Sequence, residues 1–311
     1  MKNTRIVFMG TPEFAVAPLN ALVDNFTVVA VVTQPDRPAG RGKSLTPPPV
    51  KVTAEALGIP VLQPTKIRDH SFVEWLQSVA PDFLVTAAYG RILSANVLAV
   101  PKISALNIHA SLLPRWRGAA PIHRAVLAGD SESGITVMHM DEGMDTGDMI
   151  LREAVTIGPN ETTGSLHDRL MPVGAQLIVQ AIADILQGVA IRIPQDQRAA
   201  TSAPPLSRNE ELIDWCASTE AIHNQIRGLN PWPGAYTFLY GERIKVWSGK
   251  PTAGSATPCG SVIDCGADGM VVATGDGAYR LTRIQPAGKK AMNACDFLCG
   301  NPLGRNTILG I

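Results

Sequence analysis

Two stretches of the chain carry side chains suited to chemistry. The first is ALNIHASLLPRWRG, residues 105–118, where Asn107 and His109 stand two apart at the end of an apolar run. Strand side chains alternate between faces with a period of two, so both point the same way if that run is a strand. An amide and an imidazole then reach toward one point. The second is MHMDEGMDTGD, residues 138–148, where Asp145 precedes Thr146 and Gly147 in a loop expected after a strand at 136–140. Bringing that carboxylate against His109 assembles an Asn, a His and an Asp. Such a trio suits acyl transfer to an amine: donors stabilise the oxyanion, while a carboxylate orients the imidazole and supports its charge. By residue type alone, the same pattern also describes a strand end with a satisfied histidine and a turn-forming aspartate. A serine hydrolase would need a GxSxG elbow, and the sequence has none. His70, His123, His139, His167 and His223 show no partner constellation and read as surface or core residues.

The elements that must hold Asn107 and His109 follow from hydrophobic patterning. Short apolar runs at 5–9 (RIVFM), 28–33, 82–86 and 104–108 alternate with helical stretches. This is the signature of a Rossmann-like, mostly parallel, doubly wound α/β sheet. Ligands bind at the C-terminal strand edge of such sheets, which is where residues 107 and 109 fall. Thr11 reads as a helix cap and Pro12 as a first helical residue. A dinucleotide site is disfavoured, because the turn at Gly10 lacks GxGxxG and Gln34-Pro35 stands where an acidic residue would follow the second strand. Residues 34–49, QPDRPAGRGKSLTPPP, are too rich in Pro and Gly to continue a strand or helix and read as an exposed, mobile loop. A long helix is expected over 165–187, stopped by Gly188.

A length of 311 residues suggests about two domains. The boundaries read as a catalytic domain at 1–188, a linker at 189–207 and a C-terminal domain at 208–311. In the last, strands are expected at 236–240, 244–247, 261–265, 270–273 and 279–284, with a helix near 219–227. Five short strands and one helix suggest an OB-like β-barrel.

Composition narrows the function classes. Hydrophobic residues at 45% and charged residues at 17% are those of a folded globular protein. No unbroken apolar run of about 18 residues occurs and no leader is apparent, so a cytoplasmic protein without membrane contact is expected. Cys216, Cys259, Cys265, Cys295 and Cys299 are odd in number and fit neither a disulfide framework nor a zinc site. A net charge of zero means that any RNA contact must come from a local basic patch. Arg37, Arg41, Lys43 and Lys51 form one, opposed only by Asp36.

SLLPRWRGAAPI, with NIHAS before it and MDEGMDTGD after it, resembles the folate-dependent formyltransferases. FMGTPEFA, TQPDRPAGRGK, TAAYGRIL, LNPWPGAY and QPAGKKAM extend the likeness nearly end to end, to the branch of that family acting on initiator methionyl-tRNA. The resemblance implies that Asn107, His109 and Asp145 are catalytic and that Ser111, Leu112, Leu113 and Pro114 contact the folate. It implies 10-formyltetrahydrofolate as formyl donor, no metal, and a tRNA-binding C-terminal domain. The 34–49 insertion would reach the tRNA acceptor end through Arg37, Arg41 and Lys43, with Arg41 the important residue. Pro205 departs from the family, which often has Lys at that place. A monomer is expected. Two other readings stay open here: a formyltransferase acting on a nucleotide amino sugar, and a noncatalytic RNA-binding module.

Overall fold

The computed structural model describes residues 2–39, 44–254, 257–304 and 307–310. The chain divides into two compact units. One comprises Met1–Pro121, Glu132–Thr156 and His167–Pro204, the other Ile122–Ser131, Ile157–Leu166 and Pro205–Ile311. In chain order the first half contains β1 (Arg5–Gly10), α1 (Val16–Asn25), β2 (Thr27–Val32), β3 (Arg37–Ala39), β4 (Ser44–Thr46), α2 (Pro49–Ala56), β5 (Val61–Leu62), α3 (His70–Val79), β6 (Phe83–Ala87), α4 (Ala95–Leu98), β7 (Ser104–His109), α5 (Pro121–Leu127), β8 (Glu132–His139), β9 (Met149–Thr156) and α6 (Thr163–Gln187).

The first unit is built on a seven-stranded sheet of order β5-β2-β1-β6-β7-β8-β9. Its first five strands run parallel, and β8 and β9 are antiparallel. β6 reads FLVTA and every residue in it is buried, as expected of a strand covered on both faces. One face packs Val7, Met9, Leu84 and Ala105 against Phe72, Val73 and Leu76 of α3 and Val97 of α4. On the other face, Gly174 of α6 approaches Ile108 and Ile135 closely. The register aligns Met9 with Thr86 and Thr86 with Asn107, so the row continuing Val7, Leu84 and Ala105 turns polar at the sheet's C-terminal edge.

Two expectations are corrected. Residues 34–49 are not wholly irregular: β3 and β4 form a short antiparallel ladder, and α2 begins at Pro49, where the missing N–H costs no helical bond. Thr11 caps no helix, its hydroxyl instead donating to the Tyr89 carbonyl at 3.4 Å. Helix α6 is long and apolar enough, by length and composition, to cross a bilayer, although no unbroken apolar run marks it. Its Leu170, Ile178 and Ile182 are fully buried.

The second unit holds α7 (Thr219–Gly228), β10 (Tyr236–Leu239), β11 (Glu242–Thr252), β12 (Val262–Gly266), β13 (Gly269–Ala273), β14 (Ala278–Pro286), β15 (Met292–Asn293) and α8 (Ala294–Gly300). Its sheet is six-stranded and antiparallel, of order β10-β11-β14-β13-β12, with β15 also on β14. The sequence places five strands here. The sixth, β15, has two residues, too few to show a period. Ile222, Ile226 and Leu229 join Val246, Val272, Tyr279 and Ile284 in one apolar core. Trp215 donates its indole N–H to Thr237 at 2.9 Å, and His223 bridges the Tyr279 hydroxyl and the Pro159 carbonyl, both at 2.9 Å.

Within this unit Ser207 and Glu210 form a capping box, and the Glu210 carboxylate also pairs with Arg124 of α5. Arg124, and then the Ser207 backbone and hydroxyl, hold the Glu210 carboxyl down to about 2, outweighing a burial effect that raises it. A lowered carboxyl pKa stabilises the fold above the ordinary value, and that stabilisation is lost as pH falls through the folded value. Glu210→Gln is therefore expected to melt below wild type at neutral pH, with the two converging as pH drops from 4.5 toward about 2. Thermal unfolding followed across that range checks this; parallel curves would contradict it.

Candidate active site

Asn107 and His109 lie at the C-terminal end of β7, two residues apart on one face, and the loop after β8 brings Asp145 to them. Asn107 Nδ2 donates to Asp145 Oδ1 at 3.2 Å, and the Gly118 N–H donates to Oδ2 at 2.9 Å. His109 Nδ1 stands 3.5 Å from Oδ2, with the His109 side chain 6% exposed and that of Asp145 17%. His109 Nε2 lies 2.8 Å from the Trp116 carbonyl. A carbonyl only accepts, so Nε2 carries the hydrogen in this arrangement and Nδ1 is the atom that faces the carboxylate.

The amide of Asn107 is oriented from behind. Thr86, its neighbour across the β6–β7 ladder, donates from Oγ1 to Asn107 Oδ1 at 2.7 Å. The Asp145 carboxylate on the other side only accepts, and so fixes which end of the amide is NH2. Of its two N–H groups one is on Asp145, and the other is uncommitted among the described residues. Thr86 is buried in an otherwise apolar strand, and that single polar residue was the signal available in the sequence.

Ser111, Leu112, Leu113 and Pro114 follow directly. Thr136 of β8 holds their backbone, donating to the Ser111 carbonyl at 2.7 Å and accepting from the Leu113 N–H at 3.1 Å. Ser111 and Leu113 are fully buried, the Ser111 hydroxyl donating to the Arg115 carbonyl at 2.6 Å. Leu112 and Pro114 are half-buried, so theirs are the side chains of the four that reach the surface.

Residues 189–204, which composition reads as linker, run along the site. Met149 bridges to Ile193 and Arg117 to Ser202. The Trp116 N–H donates to Thr201 Oγ1 at 2.9 Å, and Gln195 donates to the carbonyls of Asp145 and Gly147 at 2.9 and 2.7 Å. Gly118 has φ +124°, and a Cβ there would stand 2.7 Å from the Ala203 carbonyl oxygen. Only glycine combines that backbone with that approach. Trp116, Gly118, Gln195 and Thr201 were not legible as site residues, because their contacts join segments far apart in sequence.

Of the basic loop residues, Arg37 is exposed on β3, while Arg41 and Lys43 lie outside the described residues. Lys51 is not part of an open patch: it forms an ion pair with Asp36 at 2.9 Å, and Asp36 also accepts from Gln63. His139 stays apart from the trio, its Nδ1 2.8 Å from the Ser104 hydroxyl; burial, then Arg192, lowers its pKa. Among the described residues no group of three or more His, Cys, Asp or Glu could hold a metal ion.

Residues 4–182 match the formyl transferase family and residues 205–302 the formyl transferase C-terminal domain, and the chain belongs to this family. Among similar proteins, the methionyl-tRNA formyltransferase of Pelotomaculum thermopropionicum is 50% identical over 309 residues, 98% of each chain. That of Moorella thermoacetica is 51% identical over 308 residues, 98% of this chain and 99% of its own. Among solved structures, the N-formyltransferase from Helicobacter canadensis, in complex with folinic acid and dTDP-3-aminofucose, has a TM-score of 0.67 at 19% identity. It is covered over its full length and covers 92% of this chain. HypX from Aquifex aeolicus in complex with tetrahydrofolic acid gives 0.63 at 16% identity over 94% of this chain, which spans 46% of HypX. At these identities the two structures share the fold.

Thr86→Val removes the hydroxyl that orients Asn107 at nearly constant volume. Formyl transfer is expected to fall about 10-fold to 100-fold, as misplacing a catalytic donor does, with Thr86→Ser recovering most of it. Steady-state rates of the purified variants test this; equal rates for Val and wild type would remove Thr86 from the site.

Proposed function

We propose that this chain transfers the formyl group of 10-formyltetrahydrofolate to the free α-amine of initiator methionyl-tRNA. The observation that carries the reading is the convergence of Asn107, His109 and Asp145 at one sheet edge. It occurs in a chain about half identical, nearly end to end, to methionyl-tRNA formyltransferases.

10-Formyltetrahydrofolate supplies the formyl carbon, on N10. The methionyl amine attacks that carbon, forming one C–N bond as the bond to N10 breaks, and the amine proton is passed on to the departing nitrogen or to water. An α-amino group has a pKa of about 7.7 to 8.0, so a useful neutral fraction exists near pH 7 without a strong base. Asn107 presents its uncommitted N–H to the negative charge developing on the formyl oxygen. His109 Nε2–H is on the Trp116 carbonyl and joins Asn107 when the substrate oxygen replaces that acceptor. Asp145 orients both donors and balances charge on the imidazole. Leu112 and Pro114 offer apolar surface to the folate, on a backbone whose Ser111 and Leu113 are anchored inward.

Chemistry is assigned to residues 1–188 and tRNA binding to 208–311, with 189–207 connecting them in sequence. The 34–49 segment adds Arg37, Arg41 and Lys43 toward the phosphates of the acceptor end. A trio complete within one chain fits a monomer, and charged tRNA as substrate fits a cytoplasmic protein.

Removing an oxyanion donor costs on the order of 10²- to 10³-fold in rate, and Asn107→Ala is expected to lose that much while remaining folded. Incubation with 10-formyltetrahydrofolate and charged initiator tRNA should yield formyl-methionine; formylation of a nucleotide-linked amino sugar instead would overturn the reading. Arg41→Ala should weaken tRNA use and leave folate binding intact. Equal loss of both would sink the tRNA role of Arg41.

A further inference from the structure

Gln195 lies fifty residues beyond Asp145, and its side chain is buried and fully committed. Nε2 donates to the carbonyl oxygens of Asp145 at 2.9 Å and Gly147 at 2.7 Å, while Oε1 accepts from Arg117 Nε at 3.0 Å and Nη2 at 2.7 Å. A guanidinium only donates, so the amide can sit in this orientation alone, with both N–H groups turned to the carbonyls.

The two carbonyls bracket Thr146 and stand on either side of the turn that presents the carboxylate. Asp145 itself has φ +55°, a left-handed backbone that a residue with a Cβ rarely adopts unless its surroundings impose it. Gly147 has no room for a side chain, since a Cβ there would stand 1.9 Å from the His139 carbonyl oxygen. The other end of the contact is equally fixed. Arg117 donates to Gln197 Oε1 at 2.7 Å, its N–H donates to the Thr201 carbonyl at 2.9 Å, and its carbonyl accepts from the Ala203 N–H at 2.6 Å. Its neighbour Trp116 supplies the carbonyl that faces His109 Nε2.

We propose that Gln195 is a positioning residue for formyl transfer: with Arg117 it clamps the Asp145 turn to the 114–118 segment, setting the carboxylate against Asn107 and His109. It touches none of the three side chains and acts through the backbone that carries one of them and through the neighbour of the carbonyl that meets another. The inference rests on the reading of Asn107, His109 and Asp145 as the reacting trio. It also gives the 189–207 segment a part in catalysis beyond connection.

Two substitutions divide the clamp. Gln195→Leu keeps the bulk and breaks both arms, whereas Gln195→Glu keeps the acceptor for Arg117 and turns a carboxylate oxygen toward two carbonyl oxygens. Each purified variant is compared with wild type for kcat and KM toward 10-formyltetrahydrofolate and charged initiator tRNA, for folate binding and for melting temperature. Displacing a catalytic group by a fraction of an ångström to an ångström lowers turnover by about 10-fold to 100-fold, so kcat should fall by that much in both variants, with KM and folate binding within about twofold of wild type. If the leucine variant does not fold, the near-isosteric glutamate variant carries the test. Wild-type kcat in either folded variant overturns the proposal. So does a parallel loss of kcat, folate binding and melting temperature, which would make Gln195 a purely structural residue. A wild-type chain that transfers no formyl group would instead remove the assignment of the trio, whatever the variants do.

Discussion

The Asp145 carboxylate is the acceptor on which the whole site closes. A charge this far out of water persists only where donors replace its hydration. Asn107 Nδ2 and the Gly118 N–H do so directly, with His109 Nδ1 facing the same oxygen as Gly118 at 3.5 Å. The donors come from two segments, the end of β7 and the glycine turn after the 111–114 run, and the acceptor from a third, the loop after β8. Bonds to an ionised acceptor are roughly twice as strong as neutral ones. One carboxylate therefore sets the mutual geometry of pieces that no regular secondary structure joins.

That geometry is reached at the cost of backbone strain. Ala88, Trp116 and Asp145 have φ of +45°, +67° and +55°, and all three lie in turns that leave or approach the sheet's C-terminal edge. Residues held there cost on the order of 1 to 3 kcal/mol each and persist only when the surroundings over-determine them. Here the surroundings are specific. The Trp116 N–H is taken by Thr201, and its carbonyl by His109. The Asp145 carbonyl is taken by Gln195. The parallel strands beneath are buried on both faces and form a rigid base for these three residues at the sheet's C-terminal edge.

The second unit is organised differently. Its sheet is antiparallel, and its core draws on α7 and, through Leu127, on α5. Polar groups inside it are consistently paired: Trp215 with Thr237, His223 with Tyr279, and Arg227 with Asn224 and the Glu161 carbonyl. Burial is the largest influence lowering the pKa of Arg227, which illustrates what holding a cation in such a core requires. Segments 122–131 and 157–166 belong to this unit although they interrupt the first in sequence. A unit assembled from three stretches of chain cannot be read as one contiguous block.

Much of the architecture was legible because it depends on local periodicity. Four of the five parallel strands were placed to within about one residue, a precision set by apolar runs bounded by turn residues, while the two-residue β5 was not foreseen. Asn107 and His109 could be assigned to one face for the same reason, since the period of a strand is a property of its own backbone. Beyond the pairing of Asp145 with His109, what remained hidden was contact made across sequence. The ladder at 37–46 and the two-residue β15 are too short for a period to appear. Residues 189–204 carry no pattern, because they are held by isolated backbone bridges and by side chains such as Gln195 and Thr201, not by an amphipathic face. By itself the sequence determined which side chains stand together along one strand and which chemistry they offer. Only the tertiary structure decided that Thr86 turns the Asn107 amide, that Trp116 and Asp145 face opposite nitrogens of His109, and that Gln195 holds the turn carrying the carboxylate. Each is a hydrogen bond between residues distant along the chain, and their direction depends on how sheet and loops pack in space.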